Sequence, residues 1–237
     1  TDAMADAIGP GHITLSAANV TIQPYSDKWM ATYSIAGDER TIIANQVITT
    51  TGAYTLPGLL PFIPEEKMNR ISNLHYAPVI QASVGFRDTG RLRFDAFGGL
   101  VPSCEKKEVL GILFPSACFA GRAPEGGALF SFFIGGVKHA NLTTLPEEEL
   151  KALIRRELHA MLKFPAEAEP DMIRIFRHEH AIPQYEQSSG SRFETIDELQ
   201  SRYPGLTLAG NIKGGIGMAD RIRQATEIAN NLKTALK

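Results

Sequence analysis

The sequence contains few cysteines, no long apolar run and no excess of charge of one sign. Its only two cysteines, Cys104 and Cys118, lack CxxC spacing, which argues against a disulfide framework or a thiolate zinc site and favours a reducing, cytoplasmic compartment. The longest apolar stretches, such as residues 128–137, fall short of the ~20 residues that cross a bilayer, although peripheral membrane contact stays open. The formal net charge is −2, so no overall field favours nucleic acid as a partner.

What is present is the composition of an ordinary globular protein with a sizeable core. Hydrophobic residues make up 43% and charged residues 21% of 237 residues. Residues 12–51 alternate apolar and polar positions, which predicts a β-meander that ends in a buried strand. Further apolar runs between residues 76 and 136, separated by turns, predict an antiparallel sheet. The fold class is therefore predicted to be α+β, with a mixed, largely antiparallel sheet.

Two long helices are predicted after this sheet. The first opens at Pro146 with three glutamates, which the positive end of the helix dipole favours. Its apolar residues recur at helical spacing: Leu150, Leu153, Ile154, Leu158, Met161 and Leu162. A strand at 172–177, a short helix at 193–201 and a strand at 205–210 precede the last helix. That helix carries a second apolar stripe: Ile222, Ala225, Ile228, Ala229, Leu232 and Leu236.

The strongest local signal is the glycine-rich segment 205–220, in which a strand runs into a turn and then a helix. Free backbone N–H groups and the positive helix end converge where glycines remove side-chain bulk, so a negative or polar group could bind there. The spacing Gly215-x-Gly217-x-x-Asp220 lacks the third glycine of a dinucleotide fingerprint. On the segment alone, a tight turn that needs glycine for its backbone conformation is an equally good interpretation.

Three separated motifs resemble one known family. They are LAGNIKGGIGMADRI, the run 181–185 (AIPQY), and the stretch from FGGLVPS to FFIGG. The three motifs follow one another along the chain as they do in the C-terminal half of the protoporphyrinogen oxidases, which they resemble. That family belongs to the FAD-dependent amine-oxidase superfamily and makes the last tetrapyrrole intermediate before haem. The resemblance implies that residues 1–55 and 181–237 belong to an FAD-binding domain, with a strand, glycine turn and flavin-capping helix at the C-terminal end. Residues 56–180 would then form the substrate-binding domain.

The resemblance also implies cofactor contacts. Ile216, Gly217 and Met218 match the turn and helix start that lie against the flavin, where a helix N-terminus would stabilise negative charge on the reduced ring. Val20 matches a position whose backbone contacts the adenine part of FAD. His178 matches a position near the flavin.

The substrate positions implied by the resemblance are Phe97, Gly98, Leu100, Leu113 and Phe133. A flat tetrapyrrole needs an apolar slot, and glycine permits a close approach. Without the resemblance, such a stripe on strands is more simply a packed core. With it, the implied substrate is a porphyrinogen, either protoporphyrinogen or coproporphyrinogen.

The implied chemistry is hydride removal from the porphyrinogen by the flavin, with dioxygen as the final oxidant and no catalytic side chain required. The family's GxGxxG loop and its propionate-binding arginine are not in this sequence, so we expect the chain to act as a fragment with a missing N-terminal half. Apolar faces that packed on that half predict homodimerisation or aggregation. Tyr185 is followed by Glu186 rather than by the family's residues, so local details of the cavity are expected to differ.

Other interpretations stay open. Another flavin amine oxidase or desaturase with an apolar substrate would share the GGIG turn but not the FGGLVPS run. A non-catalytic module that binds a hydrophobic ligand or a partner is a third hypothesis. His178 and His180 would share one face of a strand, but with no third ligand in view a solvated pair is favoured over a metal site.

Overall fold

The computed structural model describes residues 1–235. Its α-helices are α1 (Asp2–Ile8), α2 (Leu56–Leu59), α3 (Glu65–Ser72), α4 (Pro115–Cys118), α5 (Glu147–Leu162), α6 (Ser189–Arg202) and α7 (Met218–Ala235). Its strands are β1 (Ala18–Tyr25), β2 (Lys28–Ile35), β3 (Asp38–Ala44), β4 (Val47–Thr49), β5 (Tyr76–Phe86), β6 (Gly98–Leu100), β7 (Val109–Leu113), β8 (Ala128–Gly135), β9 (Met172–Pro183) and β10 (Leu206–Leu208). None of the helices in this range is both long enough and apolar enough to cross a bilayer.

The chain forms two compact units. The first consists of Thr1–Leu74 together with the described residues from Tyr185 onward, and the second is His75–Gln184. These boundaries differ from those expected at 55/56 and 180/181. The reason is that α3 packs on α6 within the first unit, where Lys67 forms an ion pair with Glu198. The short helices that follow the meander therefore do not belong with the larger sheet.

The first unit contains the predicted β-meander, in which β1, β2 and β3 pair in antiparallel fashion. Trp29 of β2 is buried, and its indole Nε1 donates a hydrogen bond to Pro204 O at 3.2 Å. The expectation that the meander ends in a buried strand is wrong: β3 is mostly exposed. In β4, which pairs in parallel with β10, Thr49 is buried but Ile48 is exposed. Segments far apart in the sequence are therefore joined in this unit by a two-stranded parallel sheet.

The second unit is built on a five-stranded sheet with strand order β6-β7-β8-β5-β9, in which all neighbours are antiparallel. Helix α5 packs on one face of this sheet through its predicted apolar stripe, in which Leu150, Ile154 and Leu158 are almost completely buried. The prediction of an α+β fold with a largely antiparallel sheet is confirmed.

Two elements are longer than the sequence predicted. Strand β9 continues from the expected end at Arg177 to Pro183, through a charged run that shows no apolar alternation. As an edge strand it pairs only with β5, so polar side chains are compatible with its exposure. Helix α6 begins at Ser189 rather than near residue 193. Leu236, which was expected to extend the apolar stripe of α7, lies outside the described residues.

Candidate functional site

One arginine holds the glycine-rich turn that precedes α7. Arg221 Nη2 donates hydrogen bonds to Gly215 O at 2.8 Å and to Lys213 O at 3.1 Å, while its Nη1 contacts Gln224 Oε1 at 2.8 Å. Gln224 Nε2 also donates to Lys213 O, at 3.2 Å. The two turn carbonyls are therefore paired with donors from the first two turns of α7.

The turn requires glycine at its centre. Gly215 has φ +105°, and a Cβ placed there would lie 2.3 Å from Asp220 Oδ2. Asp220 accepts a hydrogen bond from Gly217 N at 3.2 Å and pairs with Arg223 at 2.6 Å. This side chain caps the first turn of α7 in the manner of the acidic residue of a capping box. The segment is thus a tight turn that needs glycine for its backbone conformation, and such a turn is compatible with a binding role.

Tyr185 of the AIPQY run packs against the same turn. Its hydroxyl lies 3.0 Å from Asn211 O and 3.1 Å from Gly215 O, and Gly215 N donates to it at 3.3 Å. The guanidinium of buried Arg192 lies 5.2 Å from the centre of the tyrosine ring and donates through Nε to Ile212 O at 3.1 Å. Two of the motifs that suggested the family are therefore in direct contact.

The outer side of this turn carries the predicted flavin residues. Ile216 is 50% and Met218 81% exposed, and Gly217 lies between them. Within residues 1–235, the backbone N–H groups of Met218 and Ala219 donate to no acceptor. Unpaired donors at the positive end of a long helix suit an electron-rich ring edge, so these residues fit a flavin.

A groove of about 600 Å³ runs beside α7 within the first unit. The predicted stripe on α7 contributes to it, together with residues from β4 and the segment after β10. Its apolar lining includes Ile48, Ala209, Ile216, Ala225, Ile228 and Leu232. Arg221 also lines it, and its buried Nε has no hydrogen-bond partner among the described residues. The stripe on α7 therefore faces a groove and not a packed core.

Val20, the predicted adenine contact, lies in a β-bulge of β1. The register with β2 is interrupted between Ala18 and Thr21, and Asn19 in the bulge has φ +52°. Val20 is thereby freed from the regular ladder, and it lines a separate cavity of about 530 Å³. Its position at this irregularity and beside a cavity is compatible with the expected main-chain contact to adenine.

The second unit brings four of the five predicted substrate residues onto one face of its sheet. We call this the second face, because it lies opposite the face that α5 covers. Paired residues form two rows across it: the serine row Gly98, Leu113, Ser131, Ser83 and Arg174, and the phenylalanine row Leu100, Gly111, Phe133, Gln81 and Phe176. The β6 to β8 side of these rows is mainly apolar, and the β5 to β9 side is mainly polar.

Glycine shapes this face at two positions. A Cβ on Gly98, which has φ +111°, would lie 2.2 Å from Ile112 O. A Cβ on Gly111 would lie 2.7 Å from Gly99 O and 3.0 Å from Leu100 Cδ2. Both glycines are therefore needed for the close packing of β6 on β7, because a side chain at either position would meet the neighbouring strand.

Two of the predicted site residues, Phe97 and His178, lie outside the two rows of the second face. Phe97 precedes β6 and is 69% exposed, so the register does not place it in either row. His178 is exposed on β9, where it pairs with Val79 beyond the phenylalanine row. In the described part of the chain, no cluster of three or more His, Cys, Asp or Glu residues could hold a metal ion. Cys104 and Cys118 are both exposed and unpaired with each other.

The sequence did not indicate Arg221, Gln81, Ser83, Ser131 or Arg174. A usable signal existed for the serines and the glutamine, which interrupt otherwise apolar strands at alternate positions. For Arg221 and Arg174 there was none, because each is one of two arginines on its element and only the folded geometry distinguishes the two.

The family of flavin containing amine oxidoreductases matches residues 1–232, and the chain belongs to this family. The resemblance seen in the sequence is confirmed, and FAD is the cofactor that the family and its structural neighbours support.

Among individual relatives, the mitochondrial protoporphyrinogen oxidase of Nicotiana tabacum is 32% identical over 73% of this chain and 33% of its own length. The coproporphyrinogen III oxidase of Bacillus subtilis is 22% identical over 83% of this chain and 41% of its own length. The crystal structure of a candidate protoporphyrinogen oxidase from Exiguobacterium sp. 255-15 superimposes with a TM-score of 0.76 at 18% identity, covering 92% of this chain and 47% of that one. The chain thus spans roughly a third to two fifths of these curated relatives.

Proposed function

We propose that this chain takes part in the oxygen-dependent oxidation of a porphyrinogen to a porphyrin in haem biosynthesis, as one portion of an FAD-dependent enzyme. The observation that carries the proposal is the second face, where Gly98, Leu100, Leu113 and Phe133 are aligned across three neighbouring strands. The names of the relatives support a porphyrinogen as substrate.

The apolar part of the second face would bind the flat ring system of the substrate. Leu113 and Phe133 supply hydrophobic contact area, and Leu100 of β6 extends the apolar surface beside them. Apolar binding of this kind also excludes water from the reacting carbon. FAD, when bound, supplies the redox chemistry by accepting a hydride from a bridge carbon of the porphyrinogen.

The turn before α7 would hold the cofactor from the first unit. The free N–H groups of Met218 and Ala219 would donate to the electron-rich edge of the flavin, and the helix dipole would stabilise negative charge there. Val20 would meet the adenine part through its backbone, at the point where the register of β1 with β2 is interrupted. None of these roles requires a side chain that exchanges protons with the substrate.

Reconstitution tests the proposal. The purified chain is mixed with FAD, alone and together with a polypeptide supplying the part of the tobacco relative that this chain does not match. Porphyrin fluorescence is then followed from air-protected protoporphyrinogen and coproporphyrinogen. We expect fluorescence to rise only when both polypeptides and oxygen are present, and the faster substrate identifies the physiological class. Retained flavin without oxidation of either porphyrinogen would point to another substrate of the same family.

A pair of variants ties the activity to the second face. Phe133→Ala should lower kcat/KM for the porphyrinogen by about tenfold, because a half-buried aromatic ring that contacts the substrate is lost. Phe119→Ala is the matched control, since that ring is 61% exposed on a loop of the same unit and lies in neither row. Equal effects of the two substitutions would contradict the assignment.

A further inference from the structure

We propose that Arg174, together with the hydroxyl groups of Ser83 and Ser131, binds a carboxylate group of the substrate on the second face. The inference rests on the proposed function, because it assigns a polar contact to the same substrate surface. In this role Arg174 favours ligands that carry a carboxylate, and it takes no part in the redox step.

The register places the three groups in one row. Arg174 pairs with Ser83, Ser83 pairs with Ser131, and Ser131 pairs with Leu113. Neighbouring strands lie ~4.8 Å apart, so the row spans about 14 Å from Leu113 to Arg174. A ligand seated on Leu113 and Phe133 would therefore reach the serines at its edge and the guanidinium just beyond them.

The two serines are arranged as donors. Gln81 Nε2 donates to Ser83 Oγ at 3.0 Å and to Ser131 Oγ at 3.2 Å, so one amide group uses both of its hydrogens on the serine oxygens. Neither serine hydroxyl donates to an acceptor within residues 1–235. Both O–H groups remain available to a ligand, and a carboxylate, which only accepts hydrogen bonds, is the matching chemistry.

Arg174 differs from the neighbouring arginines in having no partner among residues 1–235. Arg177 lies on the opposite face of β9 and donates to the carbonyl oxygens of Thr143 and Leu145. Arg87, at the end of the sheet, pairs with Asp171. In the described residues Arg174 is exposed and makes no hydrogen bond or ion pair, so its guanidinium is free to form a charge-assisted pair.

The charge around this position favours an anion. The serine and phenylalanine rows contain no aspartate or glutamate, and the row beside them contributes Leu129, Gly85 and Met172. An apolar surface that ends in hydroxyl donors and one cation is complementary to a flat hydrophobic ligand with a carboxylate at its rim. A neutral apolar ligand would leave these donors unused.

Binding measurements on the chain test the inference without requiring oxidation. Protoporphyrin IX, a dicarboxylic acid, and its neutral dimethyl ester are titrated by fluorescence into the parent chain and into Arg174→Gln, Arg174→Lys and Arg40→Gln. Arg40 is the matched control, because it is an exposed strand arginine of the other unit with no ion pair among the described residues. Thermal unfolding checks that each variant is folded.

We expect Arg174→Gln to weaken binding of the free acid about tenfold, since charge-assisted hydrogen bonds are the stronger ones. It should change binding of the ester less than twofold. Arg174→Lys should restore part of the loss, and Arg40→Gln should bind like the parent chain. Equal affinities of parent and Arg174→Gln for the free acid, equal losses for acid and ester, or no binding of either porphyrin would overturn the inference. Arg174-dependent binding without porphyrinogen oxidation in the reconstituted system would refute the proposed function alone.

Discussion

Replacing Arg221 by glutamine is expected to loosen the glycine-rich turn that precedes α7. The substitution removes a guanidinium that donates to Gly215 O at 2.8 Å and to Lys213 O at 3.1 Å. Hydrogen bonds to a charged group contribute ~1.5–3 kcal/mol each. Gln224 still donates to Lys213 O, and the turn is partly exposed to water, so the low end applies. The contact to Gly215 O accounts for ~1.5 kcal/mol, and the contact to Lys213 O, which keeps its second donor, adds ~0.5 kcal/mol, so we expect a loss of about 2 kcal/mol in the free energy of unfolding.

Thermal unfolding and flavin binding provide the assay. A loss of about 2 kcal/mol should lower the Tm by roughly 4–8 °C in a chain of this size. FAD affinity, measured by quenching of flavin fluorescence, should fall in parallel, because the same turn orients the N–H groups of Met218 and Ala219.

Arg223→Gln is the matched control. Arg223 lies on the same helix but forms only an exposed ion pair with Asp220, a type of contact that contributes ~0.5 kcal/mol. Its Tm should fall by about 1–2 °C, and its affinity for FAD should be unchanged. If the two substitutions lower the Tm equally, Arg221 does not hold the turn in the way described.

Other parts of the chain give further predictions. Leu158→Ala should destabilise the second unit by about 3 kcal/mol in chemical denaturation, because this side chain is 1% exposed. Leu162 on the same helix is half-buried, so Leu162→Ala should cost about 1 kcal/mol in the same assay. Gly215→Ala should cost at least ~1 kcal/mol and weaken FAD binding, since a Cβ there meets Asp220 Oδ2; an unchanged Tm would contradict this. The hydrogen bond from Lys67 lowers the pKa of Glu198, so the pair's contribution to stability is present at neutral pH and is lost as the pH falls through that lowered pKa. Lys67→Met should return the pKa of Glu198 towards its usual value in an NMR titration and flatten the dependence of stability on acid pH.

The local elements of this fold could be predicted from sequence, because they follow from periodicity. The stripe that begins at Leu150 predicts α5, and alternation through residues 12–51 predicts the meander. Strand β9 shows the limit of this reasoning. As an edge strand it tolerates polar residues on both faces, so its continuation to Pro183 leaves no apolar alternation to detect.

Long-range pairing is the part that the sequence alone could not supply. The parallel pairing of β4 with β10 joins residues 47–49 to 206–208, and no local pattern specifies such a partner. The serine row likewise depends on the register of five strands against one another, and a shift by one residue would move Ser83 to the other face. The resemblance indicated Leu113 and Phe133 on family grounds, but the register was needed to show that Arg174 shares their face.

The backbone contact between Gln184 N and His75 O, at 2.8 Å, has a consequence for how the chain is assembled. The chain enters the second unit at His75 and leaves it at Gln184, and these two residues are hydrogen-bonded to each other. This is the connectivity of a domain inserted into a surface loop of another domain. The pairing of β5 with β9 closes a long loop at this point, so the two connections between the units lie next to each other. The segment 75–184 therefore has the connectivity of an inserted domain, in which both connections to the rest of the chain lie at one place.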